Sequence, residues 1–240
     1  MKMAEPVRGF PDFSQRWTGQ EEMDSPTCDE ARLLRTVDQF ASINFWVSRY
    51  RYILRRWILA GLASGETAHL IDFGAGGCEI AVWLLHEARQ RGIQLQVTAL
   101  DPDARILAHA HKRFGHEKGL TLIEGGLESF VDMEADFVFC NHVLHHLPDD
   151  EVPELFAAMD IVATRRWIVS DLRRSRAAYA GFQLFGRFYR DSFAFEDGKR
   201  SILRGFTPGE LRQHLGFVAL GGRARVHALL PGRLVVVGEA

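Results

Sequence analysis

Apolar residues recur along the chain in two patterns that alternate through most of its length. Short, nearly continuous apolar runs are typical of strands buried on both faces, and they fall at residues 70–73, 95–100, 120–124, 136–140 and 167–170. Between these runs, helical periodicity appears at residues 77–91, 103–113 and 150–164. Strands that alternate with helices predict a parallel sheet with right-handed crossovers. We expect any ligand of such a sheet at the carboxyl ends of its strands.

A different pattern closes the sequence. Thr207-Pro208-Gly209-Glu210 has the form of a capping box with proline at the first helical position, so a helix is expected to begin there. Two apolar runs at residues 224–229 and 234–238 then flank Pro231-Gly232. This arrangement predicts an antiparallel hairpin.

The region before the first strand predicts a helical appendage. Asp29 can cap a long helix over about residues 30–62, whose apolar residues cover more than one face, so a kink or break within it is one outcome. Residues 1–28 predict a poorly ordered or surface-draped arm. We therefore divide the chain into an N-terminal arm and helical lid at residues 1–65 and a ligand-binding domain at residues 66–240.

The first strand of the alternation ends in a glycine turn, D-F-G-A-G-G-C-E, at residues 72–79. Strand, glycine turn and helix together suit a nucleoside-containing ligand, because glycines let the backbone approach it and the helix N-terminus offers free N–H groups. A dinucleotide-binding turn needs a third glycine where Glu79 stands, and a carboxylate there would repel a pyrophosphate. Asp72 instead suits a ligand with a cationic amino group. The other interpretation of these glycines is a tight connection without a ligand.

This stretch resembles motif I of the class I S-adenosylmethionine (SAM)-dependent methyltransferases, D-x-G-x-G-x-G. Asp72, Gly74 and Gly76 match it, while Cys78 replaces the last glycine and Gly77 precedes that position. The resemblance implies an α/β fold, with a Rossmann-like, doubly wound, mostly parallel sheet closed by the C-terminal antiparallel hairpin and preceded by the N-terminal helical extension. It also implies S-adenosyl-L-methionine as the cofactor.

The resemblance places the cofactor along the strand ends. Asp101 would accept the ribose hydroxyls or else only cap a helix, a role that suits Asp103 better. Related sequences often carry an acid for the adenine amino group at the position of Gly126, so adenine would be read by backbone groups near Gly126 and Leu127 or by Glu128. The expected cofactor contacts are Asp72, Gly74, Ala75, Gly76, Gly77, Asp101, Pro102, Gly126, Leu127, Asn141 and His142.

The fourth strand runs into C-N-H-V-L-H-H-L-P-D-D-E at residues 140–151. Part of it resembles the V-L-H-D-W-x-D-E stretch of small-molecule O-methyltransferases, where the histidine is the general base and falls on His145. Imidazole suits this role because its pKa lies near working pH. His146 and His142 are alternative bases, and a structural role for the histidine is a further interpretation.

Residues 172–206 form an insert that is long for a strand-to-helix connection and rich in aromatic residues and arginine. Such inserts are often functional lids, and the alternative is a helix pair packed on the sheet. In the same way, Asn44 and Arg51 could face a ligand or solvent, and Asp171 could position a substrate or cap a helix. The candidates for acceptor binding are Asn44, Arg51, Asp171, Tyr179, Phe182 and Tyr189.

Composition narrows the choice of partners. A net charge of −2 gives no footprint for nucleic acid, and no apolar run reaches membrane-spanning length. Cys28, Cys78 and Cys140 lack metal or disulfide spacing, so we expect no metal and a cytoplasmic location. The sequence favours methyl transfer to an oxygen of a small phenolic or aromatic acceptor, by a monomer or a homodimer. A quinone-type C-methyltransferase and a SAM-binding partner protein without catalysis are the alternatives.

Overall fold

A seven-stranded sheet forms the centre of the computed structural model, which describes residues 11–130, 132–189 and 191–240. Its strands are β1 (Thr67–Phe73), β2 (Gln94–Asp101), β3 (Leu120–Glu124), β4 (Ala135–Asn141), β5 (Ala163–Leu172), β6 (Ala224–Leu229) and β7 (Arg233–Glu239). They are arranged in the order β3-β2-β1-β4-β5-β7-β6. The first five are parallel, and β7 runs antiparallel between β5 and β6. The predicted α/β fold with a C-terminal antiparallel hairpin is therefore confirmed.

Helices surround the sheet and extend before it. They are α1 (Glu30–Ile43), α2 (Tyr50–Trp57), α3 (Glu79–Gln90), α4 (Ala104–Phe114), α5 (Glu151–Val162), α6 (Arg176–Phe185), α7 (Ala194–Arg204) and α8 (Pro208–Phe217). One face of the sheet packs on α5 and α8, with Phe156 and Trp167 stacked in the core. The other face packs on α2 and α3. Within the described residues, none of these helices is both long enough and apolar enough to span a membrane.

The sequence located most elements closely but misjudged some of their ends. The capping box at Thr207 and Glu210 is present and begins α8. Strand β5, however, begins at Ala163, inside the range predicted as helix. Arg165 and Arg166 lie in this strand, and their ion pairs with Glu66 and Glu239 explain why its first half carries charge that the apolar pattern did not register.

The predicted N-terminal helix is broken. A π-helical turn at Asn44–Ser48 follows α1, and Arg49 then adopts a left-handed conformation with φ 56° before α2. The Ser48 hydroxyl donates to the Asn44 carbonyl at 2.7 Å, which is a side-chain bond that competes with regular helix.

The segment from residue 11 to residue 28 lies over the surface and is bonded to α7, so the surface-draped alternative for the arm describes it better than the poorly ordered one. The Trp17 N–H donates to the Leu203 carbonyl at 3.1 Å. The Asp197 carboxylate accepts from the backbone N–H groups of Glu22 and Met23, each at 2.9 Å. We call residues 11–28 the N-terminal segment. The prediction for residues 1–10 lies outside the described residues.

Candidate active site

The register of the sheet brings three strand ends together. Phe73 pairs with Leu100 on one side and with Cys140 on the other, so β1, β2 and β4 end side by side. A cavity of about 950 Å³ opens over this edge. All the residues predicted to contact the cofactor line this cavity, from Asp72 and the glycine turn through Asp101, Pro102, Gly126 and Leu127 to Asn141 and His142.

The glycine turn presents its backbone to the cavity. Gly74 and Gly76 have φ of 70° and 53°, a region that a side chain disfavours. A Cβ on Gly76 would meet no atom within 4 Å, so it would project into open space in the cavity wall. The Gly76 N–H donates to Asp101 Oδ2 at 2.8 Å. The turn thus leaves room for a ligand and is held in place by the end of β2.

Two buried carboxylates flank this turn. Burial, and then the nearby charge of Asp101, raise the pKa of Asp72 to about 7. No side chain or backbone donor within the described residues bonds to the Asp72 carboxylate. Burial also raises the pKa of Asp101, although its bonds from the Gly76 and Asp103 N–H groups oppose this. A ligand with an ammonium group would relieve the charge that the protein itself leaves uncompensated.

The far end of the cavity corresponds to the predicted adenine region. Asp103 caps α4 by accepting from the Arg105 N–H at 2.9 Å, as expected for the acid that begins the helix. Gly126, Leu127 and Glu128 line the cavity. Glu128 Oε1 accepts from the Gly126 N–H at 2.8 Å, so this backbone donor is paired within the chain.

His145 is held by Asp171 beneath the cavity. Its Nδ1 lies 2.7 Å from Asp171 Oδ1, and its backbone N–H donates to the other carboxylate oxygen at 3.1 Å. A carboxylate only accepts, so Nδ1 carries the proton and the Nε2 lone pair is free. Burial lowers the pKa of His145 to about 4, and the charge of Asp171 offsets only part of this effect. His145 is therefore a neutral imidazole at pH 7.

The other two histidines differ from His145 in charge or in hydrogen bonding. Burial opposes protonation of His146, but the charges of Glu21 and Asp24 and a 3.2 Å bond to Asp24 raise its pKa to about 9. Burial, and then Arg233, lower the pKa of His142 well below its usual value. The His142 Nε2 accepts from Arg233 Nη1 at 2.6 Å, which occupies its lone pair.

Glu21 is a cavity residue that the sequence interpretation missed. It lies in the N-terminal segment, is buried, and has Oε1 3.7 Å from His145 Nε2. The Ser201 hydroxyl donates to the same oxygen at 2.9 Å, and burial raises the pKa of Glu21 to about 7. Potential metal-ligand atoms of Glu21, His145 and His146 lie within 4.8 Å of one another. The spacing of residues along the sequence did not predict this grouping. No local pattern marks Glu21, because only tertiary packing buries it.

The structure divides the acceptor-binding candidates. Asn44 and Phe182 line the cavity. Arg51 instead donates to the Tyr50 hydroxyl at 3.2 Å, and the Tyr189 hydroxyl lies 3.0 Å from that of Ser42. Tyr179 packs edge-on against Phe13, while Asp171 reaches the cavity only through His145. The acceptor end has an apolar wall that the sequence did not single out, formed by Met23, Val37, Phe40, Ile43, Val47 and Ile202.

Comparisons with known proteins agree with this geometry. Residues 71–164 match the family model of a methyltransferase domain. A SAM-dependent methyltransferase from Aquifex aeolicus is 15% identical, covers 88% of this chain and 98% of its own, and has a TM-score of 0.61. Magnesium protoporphyrin IX methyltransferase from Synechocystis, solved with bound S-adenosylhomocysteine, is 15% identical over 87% of this chain and 84% of its own, with a TM-score of 0.53.

A third similar structure is longer than this chain. Human N-acetylserotonin methyltransferase, solved with SAM, is 15% identical over 88% of this chain, with a TM-score of 0.60, and the match spans 56% of its own length. At such identities these likenesses show a shared fold. No curated protein matches the sequence.

Residues 71–164 match a methyltransferase domain, and the strand order of the sheet is that of the class I SAM-dependent methyltransferase fold. The chain therefore carries a methyltransferase domain in a fold of this class, and SAM is the cofactor that the fold class uses. The uncompensated Asp72 and the open cradle at Gly76 fit the amino group and the body of that cofactor.

Proposed function

We propose that the protein transfers a methyl group from SAM to a hydroxyl oxygen of a small phenolic or aromatic acceptor, with His145 as general base. The observation that carries this proposal is the position of His145. Asp171 fixes its Nδ1–H, it is neutral, and it lines the same cavity as the cofactor residues. A cytoplasmic location is part of the proposal and rests on three cysteines that are all unpaired thiols.

Cofactor binding in this proposal uses the strand ends. Asp72 pairs with the amino group, Asp101 accepts the ribose hydroxyls, and the turn from Gly74 to Gly77 gives its backbone room to approach. Gly126, Leu127 and Pro102 enclose the adenine. The bound cofactor supplies an electrophilic methyl group on a sulfonium.

The proton of the acceptor hydroxyl passes to His145 Nε2 as the oxygen bonds to the methyl carbon and the carbon–sulfur bond breaks. Asp171 keeps Nδ1 protonated and stabilises the imidazolium that forms. Its low pKa suits His145 to accept the proton during methyl transfer rather than before it. The other histidines suit the role less, since His146 is already protonated at pH 7 and His142 has its lone pair on Arg233.

The acceptor end of the cavity supports a flat and neutral substrate. Its wall is formed by apolar side chains of α1, of the π-helical turn and of the insert, including Phe40, Val47, Phe182 and Ile202. Arg105 is the arginine that lines the cavity within the described residues, and its guanidinium is paired with Asp103 at 2.6 Å. The wall therefore offers no unpaired cation to an acidic acceptor.

The test is methyl transfer from labelled SAM to a panel of phenols, quinols and aromatic amines. We expect O-methyl products with wild type, identified by mass spectrometry and by NMR of the new methyl group. His145→Ala should lower kcat by about a hundredfold, with SAM affinity close to wild type. His86→Ala is the matched control, because His86 is paired with Glu117 at 3.1 Å outside the cavity.

Two results would overturn parts of the proposal. A product methylated on carbon would assign the protein to the quinone-type C-methyltransferases. A folded His145→Ala variant with wild-type turnover would mean that positioning alone drives the reaction. Oligomeric state is measured on the same sample, since a homodimer stays a prediction.

A further inference from the structure

The N-terminal segment carries a carboxylate into the centre of the catalytic cavity. Glu21 is 3% exposed although it lies in a stretch that is largely polar in sequence. An ionisable group at this depth needs partners or a function, because burial of an unpaired charge is costly. Among residues 11–130, 132–189 and 191–240, the one hydrogen bond to its carboxylate comes from the Ser201 hydroxyl, at 2.9 Å from Oε1.

The same oxygen faces the free nitrogen of the proposed base. Glu21 Oε1 and His145 Nε2 are 3.7 Å apart, too far for a hydrogen bond between them. One hydroxyl oxygen can lie about 2.8 Å from both atoms, and its single proton can then be donated to either of them. The gap between the two side chains therefore has the dimensions of a binding position for one hydroxyl group.

Several contacts keep this carboxylate in place. The N–H groups of Glu22 and Met23, which follow it, donate to Asp197. Arg204 bonds to the Gly19 carbonyl at 3.1 Å and to the His145 carbonyl at 2.8 Å. One guanidinium thus links the segment that carries Glu21 to the turn that carries His145.

We propose that Glu21 is a second catalytic residue, which contacts the acceptor hydroxyl together with His145 and takes over the proton that His145 receives. This inference rests on the proposed O-methyl transfer. The hydroxyl O–H bond breaks as the oxygen–methyl bond forms and the carbon–sulfur bond breaks, and the proton passes to His145 Nε2. When the methylated product has left, a solvent water in the hydroxyl position accepts this proton from the imidazolium and donates one of its own to Glu21 Oε1. His145 returns to its neutral form, and the proton then leaves Glu21 for water.

The acidities of the two groups support this direction of transfer. Burial raises the pKa of Glu21 and lowers the pKa of His145, so both effects favour the proton on the carboxylate. The charged groups that face Glu21 are His145 and His146 from the turn after β4, Asp24 from its own segment, and Asp197 and Arg204 from α7. Activity should therefore rise with pH through about 7, as Glu21 loses its proton.

The test compares Glu21→Gln, Glu21→Asp and Glu22→Gln. We expect Glu21→Gln to lower kcat by about tenfold to a hundredfold, to leave SAM affinity within about twofold, and to lose the rise in kcat/KM near neutral pH. Glu21→Asp should restore part of the rate. Glu22→Gln is the matched control from the same segment, and it should keep wild-type kcat, because the Glu22 carboxylate is half-exposed and pairs with Arg200 outside the cavity.

A second measurement does not depend on turnover. The ionisation of 4-nitrophenol bound to the complex with S-adenosylhomocysteine is followed by its absorbance. Removing a negative charge beside the hydroxyl favours the phenolate, so the bound probe should ionise at lower pH in Glu21→Gln than in wild type. An unchanged ionisation, or equal loss of kcat in Glu21→Gln and Glu22→Gln, would overturn the proposal and leave Glu21 as a structural contact.

Two further outcomes distinguish the role of His145 from that of Glu21 and from metal binding. Loss of activity in Glu21→Gln with full activity in His145→Ala would reject the assignment of His145 and keep Glu21 as the proton acceptor. A stoichiometric divalent metal in the purified protein, whose removal by a chelator abolishes turnover, would overturn the proton-transfer role. Metal analysis of the wild-type protein decides this.

Discussion

Asp72 and Asp101 bring two carboxylates close together at the edge of the sheet, and the protein compensates them unequally. Asp101 accepts from two backbone N–H groups, whereas Asp72 has no donor within the described residues. The pair therefore stores unfavourable electrostatic energy that an ammonium group on the cofactor would relieve. We therefore expect the affinity for the cofactor to depend on the carboxylates of Asp72 and Asp101.

We predict that Asp101→Ala weakens SAM binding by about 2 kcal/mol, the loss expected for hydrogen bonds to a charged group. Isothermal titration measures this, with NAD as a negative control because Glu79 occupies the position of the third glycine of a dinucleotide turn. Asp103→Ala should change affinity less, since Asp103 is the cap of α4. Equal effects of the two substitutions would reduce Asp101 to a structural residue.

At the residue scale, the sequence predicted which side chains lie at the ends of buried strands and so come together at one edge of the sheet. Asp72, Asp101 and Asn141 end buried apolar runs, and parallel pairing brings such ends to one edge. Glu21 could not be predicted, because its burial results from packing against Ser201 and His145, residues that lie far along the sequence. Arg51 and Tyr189 do not line the cavity, and this too depends on packing. Their polar atoms bond to Tyr50 and to Ser42 instead.

At the scale of elements, α7 is the support of the N-terminal segment. Its residue Arg204 donates to the carbonyls of Gly19, His145 and His146. The helical part of the appendage is different, because Ile53 and Leu54 of α2 are fully buried in the core beneath the sheet. The segment can therefore respond to a substitution in α7 without loss of the main core.

We predict that Arg204→Met loosens the N-terminal segment and lowers turnover, because the carbonyl groups of Gly19, His145 and His146 lose a charged donor. Hydrogen–deuterium exchange should show faster exchange at the amides of Trp17, Glu22 and Met23, while amides of β1 and β4 stay protected. Arg223→Met is the control, since Arg223 pairs with Asp160 on an exposed surface. Faster exchange throughout the sheet would instead indicate general destabilisation.

Helices and strands with regular periodicity were predicted well, and irregular elements were not. The stripe over residues 30–62 has helical spacing throughout, so the position of the break at Arg49 cannot be read from it. What decides the break is the bond from Ser48 to the Asn44 carbonyl and the packing of α2 on α3. The same is true of the insert. Helices were one expectation for it, but the contacts of these helices with the N-terminal segment were not predicted.

At the scale of the whole molecule, the charge of His146 makes the stability of the folded protein depend on pH. His146 has a pKa of about 9 in the folded protein, above the ordinary value of 6.5, because Glu21 and Asp24 outweigh the effect of burial. The charged form of His146 therefore contributes its full stabilisation below pH 6.5. This contribution is lost as the pH rises through 9.

We predict that the urea midpoint of unfolding falls between pH 6.5 and 9 in wild type and falls less in His146→Gln. Circular dichroism at a series of pH values measures both proteins under the same conditions. Parallel curves for the two proteins would show that other groups set the alkaline dependence.

The place of β7 in the sheet has a consequence for how the protein is made. It is the last strand along the sequence, yet it lies between β5 and β6, and its first residue, Arg233, supports Asn141 and His142. A growing chain on the ribosome can form the first five strands in order, but it cannot complete the cofactor edge until these last residues have been synthesised. A chain cut after Gly232 would keep every glycine and acid of the cofactor site, with β5 lacking its neighbour and His142 lacking its donor. Cofactor capture therefore has to follow the synthesis of β7, although the motif that recognises the cofactor lies directly after β1.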